Sequence, residues 1–108
     1  RLNSIYDKVL NKNQDDPVFM QKFKAAQNAW AAYRDAQLAA LYPHADEEPQ
    51  YYGSVYRMCY YIEKQQLATA RIKELRRWID GVDEGEVCCG SLPIKDPKET
   101  SKKKNRQP

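Results

Sequence analysis

Two apolar runs of similar length, each bounded by helix breakers, constrain this chain more than any other feature. Asp15, Asp16 and Pro17 form a helix-start signal, an acidic cap followed by proline at the first helical position. From there Phe19, Phe23, Ala26, Trp30, Tyr33, Gln37 and Leu41 advance by steps of four and three, the repeat of one helical face. Alanines fill much of the remainder, which favours helix, and Pro43 ends the run. The second run starts within residues 50–54. Its expected inner face is Val55, Cys59, Ile62, Gln66, Thr69, Ile72 or Lys73, Leu75 and Ile79. Arg76 and Arg77 suit the negative end of that helix, and Gly81 is its natural stop. At 1.5 Å per residue each helix spans about 38–40 Å.

Two such helices joined by one loop, residues 43–53, predict an antiparallel hairpin. Leu2, Ile5, Tyr6, Val9 and Leu10 mark a short N-terminal helix that packs alongside. No strand pattern competes. The expected fold class is all-α, with a helical domain over residues 1–81 and a polar segment over 82–108. That segment is acidic first and basic later, carries Cys88 and Cys89, and reads as disordered from Pro93 onward.

Composition narrows the function classes. A chain of 108 residues holds one domain. No run of about eighteen apolar residues exists, so no transmembrane helix is expected. Four glycines are too few for a glycine-rich phosphate cradle, and one histidine leaves little room for histidine-based metal or acid–base chemistry. From position 95 onward six Lys or Arg stand against two acids, so the net charge of +3 belongs to the tail and the preceding body is close to neutral. A nucleic-acid-binding domain carries its positive charge on a folded face, and this body does not. No nucleic acid, cofactor or metal is expected, and neither is catalysis: His44 is alone in a loop, and the carboxylate pairs sit in solvated runs.

The stretch from Ala26 to Ala36, AQNAWAAYRDA, resembles the signature of the LprI-type lysozyme-inhibitor domain family, roughly AQ-x-x-W-x-x-[YF]-R-D-A on a long helix. A second block, Cys59 followed by QLATAR ending at Arg71 and by Glu74 and Leu75, is similar to that family's C…T-x-x-R-x-x-E-L, with Thr69 displaced by one place. The opening LNSIY resembles its LN-x-x-Y start. The resemblance covers about residues 2–80. It implies a small all-helical bacterial domain, exported to the periplasm or held as a lipoprotein, that binds protein and in the named member inhibits lysozyme. Leu38 stands where many members have a cysteine, so the family's disulfide framework is altered here. No leader is visible, but the first residue is arginine, which deprives that absence of weight.

Each candidate site has a bland rival. Trp30, Tyr33, Arg34 and Asp35 are either displayed for a partner or structural, with Trp30 in the core and Arg34 reaching an acid on the facing helix. Arg71 and Glu74 are the plausible counterparts, and the structural reading is preferred because a hairpin needs something to fix its register. Tyr52, Tyr56 and Tyr60 recur every fourth residue, with Tyr42, Tyr51 and Tyr61 nearby. They form a binding surface or, as preferred, pack against the third helix. Asp46, Glu47 and Glu48 are a solvated loop or a lure for a basic partner such as lysozyme. The site most expected to meet a partner is therefore Tyr42, Asp46, Glu47, Glu48, Tyr51 and Tyr52.

Antiparallel packing also gathers Asp15, Asp16, Asp80, Asp83, Glu84 and Glu86 at the opposite pole, without the spacing of a calcium loop. The three cysteines are an odd number, so at least one is free or bonded outside the chain. Cys59 lies about 33 Å before Gly81 along an intact helix. The seven or eight residues on to Cys88 or Cys89 reach back at most about 25–29 Å, and the Cα–Cα gap of a disulfide adds about 5–6 Å, so a bridge between them only just closes. Cys59 is expected to be buried and free, or paired upstream as the family suggests.

The leading expectation is a non-enzymatic exported protein-binding domain that inhibits lysozyme through its tyrosine-rich acidic loop. The alternative is a structural or envelope-stress protein, held to lipid or cell-wall polymer by Lys102, Lys103, Lys104 and Arg106.

Overall fold

In the computed structural model, residues 1–45 and 52–95 are described, and they form three helices: α1 (Leu2–Lys12), α2 (Pro17–Leu41) and α3 (Tyr56–Asp80). Asp16 caps α2 as its sequence predicts, its carboxylate accepting the Phe19 amide at 3.0 Å, with Pro17 at the first helical position. Tyr42 follows the last turn of α2, and Gly81 ends α3. Helix α3 begins at Tyr56, beyond the expected 50–54. The expected disorder of the basic tail and the reading of Lys102, Lys103, Lys104 and Arg106 lie outside the described residues. No helix among those described is long and apolar enough to cross a membrane.

The hairpin is antiparallel. Phe19 meets Trp78 near one end, Gln27 meets Arg71 further along, and Tyr42 meets Tyr56 at the other end. Helix α1 covers only the first of these levels. Ile5 and Val9 pack there with Phe23 and Leu75, and Leu2, Tyr6, Leu10, Phe19, Ile72, Trp78 and Ile79 surround them. Phe23 joins three aromatic neighbours, with centroids 5.5 Å from Tyr6 and 5.2 Å from both Phe19 and Trp78. Apolar burial on this scale is the main stabilising term of such a small domain.

Away from α1 the molecule is only two helices thick, and there both expected stripes turn out to be rotated. On α2 the covered positions are Gln27, Trp30, Ala31, Arg34, Gln37 and Leu38, so Trp30 and Gln37 of the expected face are covered whereas Ala26, Tyr33 and Leu41 face solvent. On α3 they are Tyr56, Cys59, Tyr60, Glu63 and Leu67, whereas Val55, Ile62, Gln66 and Thr69 are exposed. Without a third layer, apolar side chains are not all drawn inward. The facing rows use long polar groups instead, with Arg71 Nε donating to Gln27 Oε1 at 3.0 Å across the gap.

Beyond Gly81 the chain turns back on the end of α3. The Val82 amide donates to Pro93 O at 2.8 Å and the Lys95 amide to Val82 O at 2.8 Å, an isolated parallel bridge between Val82 and Ile94. Leu92 is buried, Trp78 Nε1 donates to Ser91 Oγ at 3.0 Å, and Lys95 pairs with Asp83 at 3.5 Å. Pattern alone reads residues 93–95 as unstructured. The bridge is long-range and leaves no local periodicity.

Candidate functional site

At the pole remote from α1, Pro43 stops α2 and the loop carries Tyr42 and Tyr52 against the first turns of α3. The i, i+4 spacing of Tyr56 and Tyr60 stacks their side chains on one face of that helix. Four rings meet there. Tyr42 lies 5.2 Å from Tyr52, 5.1 Å from Tyr56 and 6.1 Å from Tyr60, while Tyr52–Tyr56 and Tyr56–Tyr60 are 5.6 and 5.8 Å apart. The Tyr52 hydroxyl accepts the His44 amide at 2.8 Å, which ties the α3 side of the loop to the end of α2. These tyrosines therefore pack on one another and on the end of α2. They do not meet the third helix, because α1 lies at the other end of the hairpin.

Beside the rings is a cleft of about 250 Å³, lined by Asp35, Leu38, Ala39, Tyr42, Pro43, Ala45, Tyr56 and Tyr60. Desolvation pushes the Tyr42 hydroxyl above its ordinary pKa, and the neighbouring Cys59, Glu63, Tyr56 and Tyr52 push the same way. The phenol stays neutral at physiological pH and is available as a hydrogen-bond donor. Of the residues expected at the partner site, Tyr42 and Tyr52 are brought together here, and Asp46, Glu47, Glu48 and Tyr51 lie outside the described residues. Sequence spacing pointed to Tyr56 and Tyr60, but the contributions of Asp35, Leu38 and Ala39 to the cleft depend on the rotated α2 stripe.

The signature residues are arranged differently from expectation. Trp30 is half-buried and lies outside the core cluster, with the Arg34 guanidinium 5.2 Å from its ring centroid. Arg34 Nε pairs at 3.0 Å with Asp35 on its own helix, so it reaches no acid on α3. Tyr33 is 54% exposed. The cross-helix contact belongs to Arg71, which holds Gln27 and also pairs with Glu74 at 3.3 Å. Arg71 is the more enclosed of the two arginines, at 12% side-chain exposure against 27%. We expect Arg71→Ala to cost about 1.5–2 kcal/mol, since it strands a half-buried amide. Arg34→Ala should cost about 0.5–1 kcal/mol, the worth of a partly exposed cation–π contact. Thermal melts of the two variants test the ranking, and a larger loss for Arg34→Ala would reverse this assignment of the register-fixing residue.

The remaining chemistry is sparse. Among the described residues no group of His, Cys, Asp and Glu could hold a metal ion. The six acids at the α1 pole are divided between uses, with Asp16 on the α2 cap and Asp83 on Lys95. All three cysteines are free thiols, with Cys59 half-buried at the tyrosine pole and Cys88 and Cys89 beyond the far end of α3. A bridge between them would have to span the whole of that helix, which stays intact to Asp80.

A family model described as "Lysozyme inhibitor LprI" matches residues 1–75, covering α1, α2 and most of α3. No curated protein and no solved structure matches the chain significantly.

Proposed function

The chain belongs to the LprI lysozyme-inhibitor family, and we propose that it inhibits lysozyme non-enzymatically, by inserting its tyrosine pole into the target's cleft. The observation that carries this reading is the four-ring cluster at the hairpin turn, placed where two helices converge and no third covers them. Tyrosines give large contact area at low entropy cost, and a stacked set loses little further freedom on binding. In this reading Tyr42, Tyr51 and Tyr52 anchor the complex, while Asp46, Glu47 and Glu48 steer a basic target toward it. Residues 1–81 are the binding unit. Action on lysozyme also implies export to the bacterial periplasm or beyond, in keeping with the family resemblance.

The test is the clearing of a cell-wall suspension by chicken-type lysozyme, with and without the protein, at low and high salt. Clearing should slow, and the inhibition should weaken as salt screens the acidic loop. Tyr52→Ala should weaken it by about tenfold or more, the usual loss when an aromatic anchor is truncated. Asp46→Asn, Glu47→Gln and Glu48→Gln combined should slow association more than they hasten dissociation. Unchanged clearing at tens of micromolar protein would sink the lysozyme reading.

A further inference from the structure

We infer that the cleft beside the tyrosine stack is a socket for a single cationic side chain, a lysine or arginine presented by the partner protein. For the partner's identity this rests on the reading above; the preference of the cleft for a cation rests on its own walls.

Size comes first. At about 250 Å³ the cleft is smaller than the roughly 300–1,000 Å³ of ordinary small-molecule sites, and it suits one long side chain. Leu38 and Ala39 give part of its lining apolar character, which suits an alkyl stem. Its aromatic wall is formed by Tyr42, Tyr56 and Tyr60. Tyr42 meets the other two rings at interplanar angles of 77° and 49°, and those two are inclined at 54°. Rings inclined in this way point their faces in several directions, so an entering group meets π density by more than one approach. A cation within about 6 Å of such a ring is attracted to its negative face.

The charge around the cleft has the matching sign. Among the described residues no lysine or arginine lines it, and Asp35 does. The Asp35 side chain is 69% exposed and takes Arg34 Nε on one carboxylate oxygen only. Among the described residues its second oxygen accepts no donor, so it can still receive an ammonium or guanidinium proton. Over residues 35–63 the sequence has five carboxylates and one arginine, a net negative stretch. An anion entering this cleft would meet like charge, and a neutral chain would leave the Asp35 carboxylate without a donor.

The chain supplies a comparison of its own. On the same helix Arg34 already lies over an indole while pairing with Asp35, the combination of ring and carboxylate that the cleft offers to an incoming cation. The socket would repeat that arrangement between molecules, sharing the Asp35 carboxylate.

The experiment titrates the whole protein with N-acetyl-arginine methylamide, its lysine counterpart and the neutral norleucine analogue, following the tyrosine ring resonances by NMR. The two cations should shift the Tyr42, Tyr56 and Tyr60 signals saturably in the millimolar range, and norleucine should not. Tyr56→Leu should weaken the arginine probe about five-fold or more, whereas Tyr56→Phe, which keeps the π face, should retain it. Asp35→Asn should weaken both cations, with helical circular dichroism checking that each variant folds. Equal shifts from norleucine, or no saturation by either cation, would overturn the socket. Lysozyme binding is measured separately. If lysozyme binds wild type and Asp35→Asn equally well, the socket fails and the protein-binding reading stands. If the arginine probe saturates but lysozyme does not bind, the socket stands and the lysozyme reading fails.

Discussion

Replacing Phe23 with alanine is expected to lower the unfolding free energy by about 3–5 kcal/mol, the range for truncating a buried aromatic. Phe23 is 3% exposed and is the ring on which all three helices converge, through Tyr6 of α1, Phe19 of its own helix and Trp78 of α3. The loss should fall near the top of that range, because three partner rings lose a face at once and none can close the gap without moving a helix. Domains of this kind hold about 5–15 kcal/mol in reserve, so that loss is a large share of the total. Urea unfolding followed by circular dichroism should therefore show a large fall in midpoint, or a variant already partly unfolded in buffer. A change below about 1 kcal/mol would mean that the four-residue cluster of Ile5, Val9, Phe23 and Leu75 is not what holds α1 to the hairpin.

The same concentration of stability at one pole explains what the sequence discloses and what it conceals. Helix α2 is legible at its start because Asp16 and Pro17 act locally, and Phe19 and Phe23 are read correctly because a real core lies beneath them. Beyond Phe23 the pattern holds only in part, with Trp30, Gln37 and Cys59 covered as expected. Ile62, Met58 and Tyr61 are apolar at helical spacing yet exposed, since α1 does not extend far enough to cover that level. The covered row of α3 contains Glu63 and Arg71, which a hydrophobic-periodicity argument rejects as inner positions. Periodicity reports an enclosed core, and in the outer half of this hairpin Leu38 alone among the described residues is fully buried. The tyrosine pole is half legible for a related reason: Tyr52, Tyr56 and Tyr60 follow from spacing. Asp35, by contrast, lines the cleft only because the α2 stripe is rotated by one position.

Gly81→Ala is the substitution from which we expect the second largest effect, and its consequences should be local. Gly81 has φ 81° and ψ −177°, a region that only glycine occupies without strain of about 1–3 kcal/mol. Space is lacking as well as torsional freedom: an added Cβ would lie 2.7 Å from Pro93 O and 3.2 Å from Lys95 N. Both atoms belong to the bridge that holds the returning segment, so the methyl group and the two 2.8 Å hydrogen bonds compete for one place. Backbone strain and the lost bonds together come to about 2–3 kcal/mol. Residues 82–95 can relieve much of it by leaving the end of α3, which would expose Leu92 and break the Trp78–Ser91 hydrogen bond. Amide exchange should accelerate sharply at Val82 and Lys95 while the Leu75 amide keeps most of its protection. Gly85→Ala is the control, since Gly85 also has positive φ (94°) but nothing within 4 Å of an added Cβ, and its bridge amides should exchange as in wild type. Unchanged exchange in Gly81→Ala would remove the bridge from the account of this fold. The family match ends at residue 75, before the returning segment begins, so under the function proposed above a protein whose segment has released should keep whatever lysozyme inhibition the wild type shows.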